Sequence, residues 1–230
     1  MTSGVLIPLV AGSCFLLAVA AYTRGWRAAP WLGSAGIAVV CGGLAARGLR
    51  SGYWPLTSGY EFALAFAAST ALAAIVLGRF AYSGPISESD HSPCAAAMLG
   101  ATALVAYAWL GIPEFRHASR PLPPALDSVW FPLHAGAAAL AYGAFALAGA
   151  SALVWLRWEE VRQAAGHLLD RSIAAGYPLL TLSMLLGMIW AQAAWGRWWG
   201  WDLKEIWTLI PWLVFCLFAH VRRRSGWEGR

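Results

Sequence analysis

The side chains able to do chemistry are few, and two sets stand out: five histidines (His91, His117, His134, His167 and His220) and a crowd of tryptophans towards the C-terminal end. His91 and His167 fall in polar connections, where a solvated surface histidine is the ordinary outcome. His134 differs because it stands inside an apolar run, and an imidazole in lipid needs a partner or a cavity for its nitrogens. Seven of the fifteen tryptophans lie from Trp190 to Trp212, and four (Trp195, Trp198, Trp199, Trp201) crowd one short connection. An interfacial aromatic belt accounts for about two or three of these. The remainder, set around Gly196 and Gly200, suit a broad platform with N–H donors at its rim, which fits a large planar ligand better than lipid tails. Arg197 and Lys204 add positive charge beside it for acidic ligand substituents. Other chemistries lack residues. Cys14, Cys41, Cys94 and Cys216 are isolated, with no CxxC or CxxCH to hold zinc, exchange a disulfide or attach haem covalently. No serine–histidine–acid arrangement or paired-carboxylate site is evident.

These groups need elements to position them, and the composition says what kind. Hydrophobic residues are 60% of the 230, charged residues 12%, and the mean hydropathy is +0.58. So few charges cannot cover a water-soluble fold of this size, so lipid must be the main solvent. Apolar runs without alternation read as helices, the lipid-compatible form that satisfies its own backbone. Seven spans are expected, at about 4–23, 31–49, 59–79, 94–112, 130–156, 174–194 and 203–221: an all-α polytopic membrane protein. The first run is read as a retained helix rather than a signal peptide, because its arginines follow it. The inner loops are then 24–30, 80–93 and 157–173, and the outer segments 50–58, 113–129 and 195–202. This arrangement puts ten basic residues inside and six outside, with the N terminus out and the C terminus in, as the positive-inside rule asks.

The net charge of +5 does not indicate nucleic acid, since the one basic cluster, Arg222, Arg223 and Arg224, directly follows an apolar span and reads as a membrane anchor. Residues 113–129 carry four prolines and cannot form a continuous helix. Pro132 suits the first turn of the fifth helix, which places His134 just inside its outer end. The Ala/Gly run 135–151 lets neighbouring helices approach closely. Asp202-Leu203-Lys204-Glu205 matches a capping box, with Asp202 starting the seventh helix. The whole of 1–230 reads as one membrane domain, with N-terminal helices over 1–112.

The stretch WGRWWGWDLKEIWTLIPWLVFCLFAHVR (195–222) resembles the tryptophan-rich "WWD" signature of the CcsA/ResC family of cytochrome c assembly proteins. The resemblance extends through PALDSVWFPLHAGAAALAYGAF (124–145) and LLDRSIAAGYPLLTLSMLLGMIWAQ (168–192), with a weaker echo in YWPLTSGYEFALAFA (53–67). It implies a haem-handling core over 113–230, built around the WWD segment 195–207, in the bacterial cytoplasmic membrane. In that family, haem (haem b, as bound substrate) is held over the tryptophans at the outer face by external histidines. There it awaits attachment to the CxxCH motif of an apocytochrome c, within a haem lyase completed by a CcsB/ResB-like partner. By the same resemblance His134, in WFPLH, is the first external iron ligand, and Trp195, Trp198, Trp199, Trp201 and Asp202 line the site. Arg197 and Lys204 would then pair with the propionates. His220, in AHVR, matches a position of haem entry within the membrane, and its family partner histidine is replaced by Tyr53. Family members carry the second external histidine one helix beyond the position of Arg230. The second ligand is therefore expected from His117 or from a partner subunit. The alternative from another class is a non-catalytic membrane subunit of the same fold that has lost complete haem ligation.

Overall fold

The computed structural model describes residues 3–81, 92–111 and 122–225. Among them there are seven long helices and no strand: α1 Ser3–Tyr22, α2 Ala29–Ser51, α3 Gly59–Ala81, α4 Ser92–Gly111, α5 Trp130–Arg157, α6 Arg162–Trp195 and α7 Leu203–Ser225, with a 3-10 turn at Pro124–Leu126. Six of the helices are long and apolar enough to cross a membrane, and within α1 Leu6–Tyr22 forms a shorter apolar stretch. His117 and His91 lie outside the described residues.

α3 and α5 are the most enclosed, each buried over 61% of its most apolar window. α1 packs on α2 and α4, α3 on α2, α4 and α5, and α5 along α6. The expected role of the α5 Ala/Gly run is seen directly. Ala135, Ala137, Ala138, Ala139, Ala141, Ala144 and Ala148 are all buried. A Cβ at Gly143 would stand only 2.7 Å from the Ser69 side chain, so the α3 and α5 backbones meet where neither has bulk.

One boundary differs from the sequence expectation. Residues 157–173 do not form a long inner loop, because α6 begins at Arg162 and runs for 34 residues. Arg162, His167, Asp170 and Arg171 make this stretch look solvated, yet Ala165, Leu168 and Ser172 are buried in it. Charge on one side and small or apolar residues at helical spacing on the other describe an amphipathic extension of the span.

Candidate functional site

Alternating helix direction brings four pieces to one end of the bundle: the α2–α3 link, the start of α5, the end of α6 and the start of α7. The contacts agree. The Leu56 side chain lies 3.8 Å from where a Cβ at Gly136 would be. Trp190 donates from Nε1 to the Ala125 carbonyl at 2.8 Å, tying the 3-10 turn onto α6.

His134, in the second turn of α5, leans against α6. Its Nδ1 lies 2.8 Å from the Ser183 carbonyl oxygen and 3.2 Å from the Ser183 hydroxyl. That hydroxyl donates to the His134 carbonyl at 3.1 Å. The imidazole is parallel to the Trp190 indole, with an interplanar angle of 5° and centroids 6.4 Å apart. Trp190 also meets Phe131 at 5.2 Å and Trp195 edge-on at 6.1 Å. A continuous ring contact therefore runs from the histidine to the tryptophan-rich segment through Trp190.

The segment itself begins where α6 ends on Gly196, whose φ of 71° is a left-handed conformation that glycine adopts without steric penalty. The polypeptide then turns through 197–202 and re-enters as α7. Glu205 N–H donates to Asp202 Oδ1 at 2.9 Å, while Glu205 Oε2 accepts from the N–H of Gly200 at 2.7 Å and of Asp202 at 3.4 Å. The capping box is thus formed, and its glutamate reaches back to stiffen the turn. Trp201, at φ 56°, is held in a conformation rare for a side chain of its size. The indoles are not packed away against neighbouring helices: Trp195, Trp198, Trp201 and Trp207 are each more than half exposed. Trp199 meets Trp201 edge-on at 5.9 Å, and its Nε1 is buried with no hydrogen-bond partner among the described residues. The Arg197 guanidinium lies over Gly200, where a Cβ would come within 2.8 Å of it. Lys204 is exposed in the first turn of α7.

His220 is not part of this cluster. It is exposed on α7, about 27 Å along the helix axis from Asp202 at 1.5 Å per residue. Tyr53 follows the end of α2, at the His134 end of the bundle, so the fold sets Tyr53 and His220 at opposite ends and one planar ligand cannot bridge them. Near His220, Arg222 pairs with Asp170 of α6. Further along, Trp212 donates to Thr181 at 2.9 Å, and Phe145 stacks on Phe215 at 4.1 Å.

Two residues of the cluster, Ser183 and Gly187, are not singled out by motif reading, and Trp190 counts only among the crowded tryptophans, not as a neighbour of His134. A serine and a glycine in an apolar helix read as packing. The available signal was their spacing with Trp190, which puts all three on one helix face. The same end holds a second capping box that the tryptophans overshadowed. Ser58 Oγ accepts from Glu61 N–H at 3.3 Å, and Glu61 accepts in return from Ser58 N–H.

Comparison with known proteins identifies a family. Residues 57–230 match the family described as cytochrome C assembly protein. Among curated relatives, "Cytochrome c biogenesis protein CcsA" of Microcystis aeruginosa is 29% identical over 87% of this chain and 78% of that protein. The protein of the same name from Prochlorococcus marinus (strain MIT 9303) is 32% identical over 81% of this chain and 69% of its own length. For that of Chlamydomonas reinhardtii the identity is 30%, over 78% of this chain but 53% of the relative. With membrane-spanning helices throughout and a family match over most of its length, this chain belongs to the cytochrome c assembly protein family.

Proposed function

We propose that this chain holds haem b as a bound substrate against the Trp195–Trp201 segment, at the outer face of a bacterial cytoplasmic membrane, for transfer to apocytochrome c. The observation that carries this reading is the ring contact from His134 through Trp190 to Trp195, whose indole, like those of Trp198 and Trp201, remains more than half exposed. A single well-placed imidazole suits an iron whose equatorial positions are already filled by a porphyrin. Among the described residues no three His, Cys, Asp or Glu side chains converge on a bare ion site. The exposed faces of Trp195, Trp198 and Trp201 offer apolar ring surface for the macrocycle, although the expected flat platform is not formed, since Trp199 and Trp201 meet edge-on. Arg197 and Lys204 stand where propionates can take charge-assisted hydrogen bonds.

In this reading the protein orients and does not attack. The S–H of each cysteine in a CxxCH motif adds across a vinyl group, forming one C–S and one C–H bond. The contribution of this chain is to hold the porphyrin edge still while the thiols approach. His134 is the first axial ligand. His117, or a histidine from a CcsB/ResB-like membrane partner, supplies the second. The isolated position of His220 makes it a candidate for an earlier contact at the opposite, cytoplasmic end rather than a second ligand at the tryptophan site.

The test is the absorption spectrum of the chain purified in detergent with its co-expressed partner from haem-replete cells. A Soret band with the bis-imidazole pattern is expected, lost in His134→Ala and retained in His220→Ala. His117→Ala distinguishes the two sources of the second ligand. Colourless wild-type complex would favour the non-catalytic subunit instead.

A further inference from the structure

We propose that Ser183, Gly187 and Trp190 form a seat on α6 that fixes His134 as its Nδ1–H tautomer and so presents Nε2 to the iron. The iron rests on the haem reading above; the tautomer does not. A backbone carbonyl only accepts, so the proton in the 2.8 Å contact between Nδ1 and the Ser183 oxygen must sit on Nδ1. The Ser183 hydroxyl cannot give its proton to an already protonated nitrogen, and it donates to the His134 carbonyl. With Nδ1 occupied, Nε2 keeps its lone pair, which is the form that binds a metal.

Room for this arrangement comes from Gly187. A Cβ there would stand 2.8 Å from His134 Nδ1 and 2.9 Å from Cε1, closer than a side chain tolerates, so any other residue displaces the ring from its acceptor. Orientation comes from Trp190. Its indole lies parallel to the imidazole, and its own N–H is anchored on Ala125, which opposes rotation of the pair together. Ser183 is 2% exposed, so water does not compete for the bond. These three are positioning residues: none needs to touch haem for the ligand geometry to depend on it.

The experiment uses the full chain labelled with 15N-histidine, first free of haem and at pH 8. The His134 signals are assigned by their loss in His134→Gln. Wild type is expected to show a protonated Nδ1 and an unprotonated Nε2, and Gly187→Ala is expected to lose that pattern. Haem titration should then give affinity about 10–100-fold weaker in Gly187→Ala, the usual effect of disturbing a ligand's outer hydrogen bond. Gly149→Ala, where a Cβ meets nothing within 4 Å, should match wild type. Trp190→Phe, which keeps a ring but removes the anchoring N–H, should weaken haem binding less than Gly187→Ala.

A protonated Nε2 in the wild-type protein overturns the proposal, even if every variant misfolds. So does unchanged haem affinity in Gly187→Ala, which would leave the haem reading standing. The expected tautomer in a wild-type protein that binds no haem has the opposite meaning: the seat stands and the haem reading falls.

Discussion

Two helices at the same end of the bundle begin with the same device in different surroundings. At the start of α3, Ser58 and Glu61 cap each other; at the start of α7, Asp202 and Glu205 do so. Each box follows a non-glycine residue forced to positive φ, Leu56 at 82° and Trp201 at 56°. In each, the glutamate reaches back to collect loop N–H groups. Glu61 takes those of Leu56, Thr57 and Ser58, and Glu205 takes those of Gly200 and Asp202. There the likeness ends. Glu61 is 2% exposed and meets Arg47 at 2.5 Å. Among the described residues no cation lies within ion-pair distance of Glu205. The same capping pattern, with a serine in one case and an aspartate in the other, therefore acts as a buried keystone in one place and as a surface stiffener in the other. The first fastens the 52–58 link to the core; the second ties the turn at 200–202 to the first turn of α7.

The largest effect should come from breaking the buried box. Glu61→Gln removes the carboxylate facing Arg47 and weakens the acceptor shared by the loop amides. A loss of about 3 kcal/mol is expected for breaking such an enclosed pair, read as a lower thermal midpoint in detergent. Unchanged stability would erase the distinction between the two starts. Asp202→Ala should cost about 1 kcal/mol, as loss of an N-cap does. Hydrogen exchange should place that loss in the first turn of α7, leaving α1–α6 protected as before. The smallest change in stability, within about 1 kcal/mol, is expected for Trp201→Gly, where relief of the positive φ offsets the greater freedom of the unfolded chain. Haem retention should nevertheless fall; a variant that keeps both its midpoint and its haem would remove Trp201 from the binding surface.

What the sequence disclosed follows from which forces act locally. Helix lengths were legible because lipid permits few alternatives, and the seven expected spans fall on α1–α7. The first twelve residues of α6 were not, since Arg162, His167, Asp170 and Arg171 resemble a loop until the buried positions between them are counted. The Asp202 box announced itself, because its residues sit beside the tryptophans. Ser58–Glu61 has the same spacing, but only the tertiary partner Arg47 gives it weight. His134 stood out as a lone imidazole in an apolar run. Its acceptor did not, because that acceptor is a main-chain oxygen on a helix 49 residues away, and no side-chain pattern encodes it.

α7 has one more implication. None of its most apolar window is enclosed by the rest of the chain, against 61% for α3 and α5, and it rests on α6 through a handful of contacts. A rod attached so lightly takes its tilt from hydrocarbon thickness and from whatever lies alongside it. The indole shelf hangs between that rod and the rigid end of α6, so its shape belongs partly to the surrounding bilayer.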